Sequence, residues 1–551
     1  MKPTNLCSVL LLLLLSSNPT EAQVNWSTKI SFRPFAIYND GISTSTIRVD
    51  ARGLAVTGLS IKLKSAGNIT FTAAGYTTPA MSFSLFDDGT HGDEMTNDGI
   101  FSLGEVKTNF SLGSKEFQRV HVELTADSLM MEVYYPSFFV VRDENFNVDL
   151  TDNNTISSDF AIAFFGLPDR GNIWDILRKF YRMFPDAYDF VLVYRERIPE
   201  WSGAYIAVKN DVKGIGRPLF NHCSEYGSGG RLQGILSFGT DEEQLTAELN
   251  GTVMHEFGHR WGAYLSDSAL PLSDGAHWYN NSTIVGMLNT CCSPFVFVGS
   301  GAFRHYCSFR FNRFAPIELY TMGAFSKQEL DSDGGVYVLV DPNIGQTSNS
   351  QIPCDSIVSP ATFVKVTSDS IVKIYGEREP SSPYAQKTFR TATILVTERK
   401  PTAEEICVWN RFLRHYSAPY DRNDPYGADW ESVPSFANYT AGRLSNDFRI
   451  ETPTFVEQLS SGEPKACFLY QNFPNPFNPS TTIEFTISHR TSVALNIHNL
   501  LGVRVTNLVS QTLAAGRYRI QWLPNGLPSG VYFYQLQAGG YNETKKLILL
   551  R

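Results

Sequence analysis

The sequence predicts a multidomain, β-rich protein with an N-terminal β-sandwich, a central α+β unit and a C-terminal β-sandwich. Three observations predict it. The chain has 551 residues, more than one hydrophobic core accommodates. Aromatic residues make up 13% and charged residues only 18%, a balance that suits strands and turns. Helical periodicity is confined to the middle of the chain, whereas both flanks alternate apolar and polar residues.

The first 22 residues read as a secretory signal. Lys2 supplies a positive start, Val9 to Leu15 an apolar run, and Thr20-Glu21-Ala22 a small-residue cleavage site. That run is too short to span a bilayer, and no later segment is long and apolar enough to do so. The formal net charge of −9 argues against nucleic acid or an anionic membrane as partner. Seven cysteines follow the cleavage site: Cys223, Cys291, Cys292, Cys307, Cys354, Cys407 and Cys467. Their odd number leaves at least one unpaired, and export permits disulfides among the rest.

Residues 23–145 are expected to form the first sandwich. Ser60 to Leu63 and Val120 to Leu124 alternate as strands do, between Gly, Asn and Asp turns. Asp87, Asp88, Asp93 and Asp98 cluster with glycines and could bind calcium, although without the spacing of an EF-hand. This stretch resembles the Asp/Gly-rich loops of immunoglobulin-like (Ig-like) accessory domains in secreted bacterial proteins, which implies a spacer or binding role.

Residues 146–450 form the mixed unit. Ile173, Ile176, Leu177, Phe180 and Phe184 recur at helical spacing, and Thr402 to Tyr416 carries a second apolar stripe expected to be core. Phe190 to Tyr194 and Ala204 to Val208 read as buried strands. A further helix is expected from a capping box at Thr240 and Glu243, followed by a stripe of Leu245, Leu249, Val253, Phe257 and Trp261. Gly258 and Gly262 on it would allow another backbone to come close.

That helix carries His255-Glu256-Phe257-Gly258-His259. Residues four apart share one helical face, so both imidazoles can reach one zinc ion. Glu256 lies beside them, placed to take a proton from a zinc-bound water. A catalytic zinc needs a third protein ligand, and three candidates remain open: His277, Glu318 and Asp267, in that order of preference. Position 265, where the metzincin pattern has His or Asp, is Leu265. No C-x-x-C pair offers an alternative zinc site. His222 and His305 read as ordinary hydrogen-bonding histidines.

The central region resembles a group of secreted bacterial zincin-like proteins through Asn210-Asp211, Gly214-Ile215-Gly216, the His255 to Gly262 segment, His277-Trp278 and Glu318 to Gly323. The resemblance covers about 250 residues and implies a class without a substrate. Compared with the methionine turn of metzincins, Met322 would sit under the metal and Tyr320 would stabilise the oxyanion, although ordinary core packing is the preferred reading of both.

Residues 451–466 read as a linker rich in Pro, Ser and Glu. Residues 467–551 then alternate as a small antiparallel sandwich. Within them, Asn472-Phe473-Pro474-Asn475-Pro476-Phe477-Asn478-Pro479-Ser480-Thr481-Thr482-Ile483, Leu501-Gly502, Ala515-Gly516, Leu527 to Tyr532 and the Lys545-Lys546 tail closely resemble the C-terminal sorting domain of type IX secretion cargo. That resemblance implies export to the surface or the medium and contact with the type IX machinery. The expected function is a secreted zinc endopeptidase acting on protein or peptide substrates, with Glu256 as general base. The alternative is a non-catalytic surface protein that binds or adheres through a zincin-like fold.

Overall fold

The computed structural model describes residues 29–550 except 65–68, 114–116, 128, 143–147, 153, 168–171, 197–202, 241–251, 271, 280–281, 285, 289–294, 300–301, 306–312, 333–335, 340–355, 359–362, 422–433, 451–455, 461–463, 479, 523 and 525–526. The expected signal segment, Glu243, Leu245, Leu249, Cys291, Cys292, Cys307 and Cys354 lie outside the described residues. Strand predominates, at 41% against 16% helix.

The N-terminal unit is two facing sheets. One joins Ile30–Arg33, Ser45–Asp50 and Ile100–Val106; the other runs Ala36–Tyr38, Leu129–Val141, Phe117–Ala126, Leu59–Lys64, Ser82–Leu85. Alternation does the folding: Leu59, Ile61 and Leu63 are buried, while Ser60, Lys62 and Lys64 are half-exposed. Phe32, Ile47, Val49, Ile61, Phe71 and Phe138 fill the space between the sheets. Phe32 and Phe138 stack with ring centroids 4.7 Å apart.

The central unit is built on an eight-stranded sheet. Its main strands are β1 (Ile162–Phe165), β2 (Phe190–Glu196), β3 (Ala204–Ala207), β4 (Gly234–Thr240) and β5 (Thr388–Thr397), in the spatial order β3-β4-β2-β5-β1. β4, β2, β5 and β1 are mutually parallel, and β3 is antiparallel to β4. Thr155–Ser158 and Val148–Asp152 extend the far side. Parallel strands buried on both faces alternate between two cores. Phe190, Leu192 and Tyr194 point to one face, Val191 and Val193 to the other.

Helix α1 (Ile173–Met183), capped by Asn172, covers the second face with Ile176, Leu177 and Phe180. Helices α2 (Thr252–Gly258) and α4 (Ala403–Tyr416) cover the first. Between them in sequence lies the short α3 (Pro316–Thr321). α4 begins with a capping box of Thr402 and Glu405. Its stripe is core, as expected.

Thr240 closes strand β4 and the metal-motif helix is described from Thr252; its expected start between them lies outside the described residues. Three expectations need correction. β3 is not a buried strand: it is the last strand of its sheet among the described residues, and its side chains are half-exposed or exposed. A side chain, not a backbone, uses the space at Gly258 and Gly262. A Cβ on Gly258 would lie 3.0 Å from Leu288 Cγ, and one on Gly262 would collide with Leu288 Cδ1. Finally, Val456–Ser460 is a strand where a linker was expected, paired with Gly516–Trp522.

The C-terminal unit is a second sandwich of two four-stranded sheets. These run Val456–Ser460, Gly516–Trp522, Thr481–Ile487, Phe468–Leu469 and Arg504–Leu513, Thr491–His498, Gly530–Ala538, Tyr541–Leu549. Phe485, Leu495, Ile520 and Tyr534 lie in its core. The Asn-Phe-Pro-Asn-Pro entry is tied down by its asparagines. Asn472 N donates to Tyr534 Oη at 2.9 Å and its Nδ2 to Thr481 Oγ1 at 2.8 Å. Asn475 Oδ1 accepts from Ile548 N at 2.9 Å. No helix among the described residues is long and apolar enough to cross a membrane.

Candidate metal centre

α2 packs against β3 and β4, with Val253, Met254 and Phe257 in the core. This leaves His255 on the side facing the segment that follows the helix, and His259 in the turn just beyond it. That segment brings in His277. The Nε2 atoms of His255 and His277 stand 3.2 Å apart, as do those of His255 and His259. All three residues offer a nitrogen within 4.8 Å of the others.

These separations fit a zinc ion. Ligand nitrogens about 2.0–2.1 Å from a tetrahedral centre lie roughly 3.3 Å from one another. His255 Nδ1 lies 2.5 Å from Met287 O. Donating there puts the ring proton on Nδ1 and the lone pair on Nε2, toward the cluster. Burial holds the His255 imidazole down at about 4. Burial, then the neighbouring His255, His277 and Arg217, take His259 to about 3. His277 is lowered by burial as well, against the pull of Asp274. Three neutral imidazoles therefore converge at neutral pH, as a metal requires.

Glu256 is 7% exposed. Burial pushes its carboxyl up to about 7, against the backbone N–H of Tyr205 on β3, which favours the charged form. Gly203 at the start of β3 leaves room for it: a Cβ there would lie 3.2 Å from Glu256 Oε1. The base candidate thus lies between the helix and the edge strand.

Glu318 is not part of the cluster. It is fully buried, and both oxygens are engaged. Oε1 accepts from Trp278 Nε1 at 3.0 Å and Leu288 N at 2.8 Å. Oε2 accepts from Met287 N at 3.1 Å and Ala315 N at 2.6 Å. Burial outweighs these donors and holds the carboxyl at about 7. The carboxylate therefore organises the loops that supply the site: it ties Trp278, next to His277, to Met287, whose carbonyl orients His255. Pro316 at the start of α3 with Glu318 two residues on is a helix-entry signature, so its capping role was readable in the sequence.

Asp267 is exposed and closes its own turn by accepting from Ala269 N. Tyr320 is 2% exposed and packs with Ala263, Leu265 and Trp278. Its charged neighbours are Glu377, Lys327, Arg378 and Asp331, none of them in the cluster. Met322 lies in the core shared with Met254, Phe257 and Met287. His222 pairs with Glu225 at 2.8 Å, and His305 is buried against Phe295. Cys223, Cys407 and Cys467 form no disulfide among the described residues.

Sequence reasoning missed Arg260, which is 1% exposed. Its Nε donates to Gln233 Oε1 at 3.0 Å, Nη1 to Asn210 Oδ1 at 3.0 Å and Nη2 to Asp211 Oδ1 at 2.9 Å. The Asn210-Asp211 pair thus clamps the residue next to His259. A charged residue directly after the metal motif, followed by Trp261, was the available signal.

In the N-terminal sandwich, Asp87, Asp93 and Asp98 converge, each within 4.8 Å of the others. Asp88 does not join them; it closes a turn with Thr90. Asp87 accepts from Asp98 N and Gly99 N, Asp93 from Gly89 N, and Asp98 from Ile100 N. These bonds account for the loop's closure with or without a cation.

Residues 471–550 match the family model described as the secretion system C-terminal sorting domain. No curated protein matches the chain. Among solved structures it is similar to a biofilm associated protein BSP domain at 9% identity, covering 97% of this chain and 84% of that one. The TM-score of 0.13 carries no argument about fold. The C-terminal sandwich is a type IX secretion sorting domain, and it directs this protein to the medium or the outer-membrane surface.

Proposed function

We propose that this protein is a secreted zinc-dependent peptide hydrolase, with a zincin-like central unit and with His255, His259 and His277 as the zinc ligands. The observation that carries the reading is the convergence of three imidazole nitrogens, two of the separations being 3.2 Å, with the buried carboxylate of Glu256 next to His255 on α2. A bound zinc would supply an acidified water and a Lewis acid for the scissile carbonyl. Glu256 takes the proton from the attacking water and returns it to the leaving amine. Its raised pKa suits both transfers near neutral pH. Met287 O holds the His255 ring, and Arg260 braces the turn that carries His259.

A peptide substrate follows from β3. Among the described residues this antiparallel strand is the last of its sheet and lies beside Glu256, and an extended chain pairs with such an edge through main-chain hydrogen bonds. The test is cleavage of a mixed denatured protein pool by the zinc-loaded protein, with Glu256→Gln as blank. Cuts lost in the blank and on chelation support the reading. A folded, zinc-loaded protein that makes no cuts favours the second reading, a surface-binding protein in which the cluster holds zinc without turnover.

A further inference from the structure

Arg217 lies on the connection between β3 and β4, and its guanidinium is held by two aromatic residues. One ring centroid, that of Tyr264, lies 4.5 Å from its Cζ, and that of Phe220 lies 5.0 Å away. Its Nη1 donates to Tyr264 Oη, and Tyr264 Oη donates to the backbone carbonyl of His259. The cation therefore stands two hydrogen bonds from a residue of the metal cluster. Nε and Nη2 meet no acceptor among the described residues, and the side chain is half-buried.

Two rings and one hydrogen bond thus fix a half-buried arginine while Nε and Nη2 stay open. Arginine in a fixed plane reads a carboxylate through two parallel N–H donors, and aromatic flanks hold that plane. The remaining charged groups near it do not compete. Arg260 has its three donor nitrogens engaged by Gln233, Asn210 and Asp211, and Asp211 is shared between Arg260 and Lys209.

We propose that Arg217 is the anion-recognising residue of this site and selects peptides that carry a carboxylate, from Asp, Glu or a chain end, next to the bond at the metal cluster. The inference rests on the reading of the central unit as a peptide-binding zinc site. It makes Arg217 a specificity residue, acting on substrate binding and not on the proton transfers of Glu256.

The test uses binding, so that it does not depend on turnover. Zinc-loaded Glu256→Gln protein is titrated into two fluorescein-labelled octapeptide pools of neutral residues. One pool carries a single Glu at mixed positions, and the other Gln in its place. The Glu pool should bind about tenfold tighter, the size expected of one charge-assisted pair. Arg217→Gln should erase that preference, Arg217→Lys should keep part of it, and Tyr264→Phe should weaken it while preserving the ring. Equal binding of the two pools by the parent, or a preference unchanged in a folded Arg217→Gln protein, overturns the proposal. Failure of the hydrolase reading shows separately, as absence of cuts by the protein with Glu256 intact.

Discussion

At the scale of single residues, the site combines groups that burial drives in opposite directions. His255 and His259 are held down at about 4 and about 3, while Glu256 is pushed up to about 7. Protons compete with a metal for an imidazole only below its pKa. Zinc should therefore stay bound as pH falls well past the unperturbed value of about 6.5. Glu256, by contrast, must be a carboxylate to act as base, so turnover should decline as pH drops below about 7, before zinc is lost. Zinc content after dialysis and initial rates over the same pH series check this; zinc loss centred at pH 6.5 would contradict it. Replacing His277 by Ala should lower zinc affinity at least a hundredfold, whereas Asp267→Asn should leave it unchanged, as read by competition with a chromophoric chelator. Glu318 makes a sharper case. Four N–H groups point at its two oxygens, so in Glu318→Gln the amide NH2 must face two donors. A loss of about 2–4 kcal/mol of stability is expected, with weakened zinc binding, measured by denaturant unfolding with and without zinc.

Among elements, α2 is short and is defined by what packs on it. Gly258 at its end and Gly262 beyond it make room for Leu288, which follows the carbonyl that orients His255. Gly262→Ala drives a methyl into Leu288 Cδ1 and should cost about 1–3 kcal/mol. Leu288→Ala in the same chain should recover part of it, a coupling that a double-mutant cycle reads directly. Much of this element was legible. The spacing of His255 and His259 and the buried Val253, Phe257 and Trp261 follow from helical periodicity. That Leu288 would fill the glycine notch was not legible, because it arrives from a loop whose path no local pattern encodes. The same holds for α4, whose capping box at Thr402 and Glu405 was readable as a helix start. Glu405 also accepts from Phe35 N at 3.1 Å, across 370 residues of chain.

For the whole molecule, the N-terminal sandwich shares packing with the central unit. Ala36, Phe139 and Val141 turn away from its own core into the central one, and Phe139 meets Phe412 of α4 at 6.1 Å. Arg411 Nη2 donates to Arg142 O at 2.8 Å. Phe412→Ala should cost about 3–5 kcal/mol and lower the melting of both units together, visible as one shifted transition in calorimetry. The sorting domain has its own core and should fold alone, provided that Val456–Ser460 is kept. A fragment starting at residue 467 loses that edge strand and should melt below one starting at 456, by about 4–8 °C for each kcal/mol lost.

The sequence by itself determined the periodic features: the alternation of both sandwiches, the α1 and α4 stripes, the sorting-domain motifs, and two imidazoles with a carboxylate in one short motif. These rest on short-range geometry, where residues two, three or four apart share a face whatever surrounds them. Tertiary structure alone decided that His277 joins His255 and His259, that Glu318 organises loops without joining the cluster, and that three of four aspartates converge. It also decided that Arg260 and Arg217 brace and flank the site. Each of these depends on where a loop returns after tens of residues, which is set by the packing of distant cores and leaves no period in the sequence.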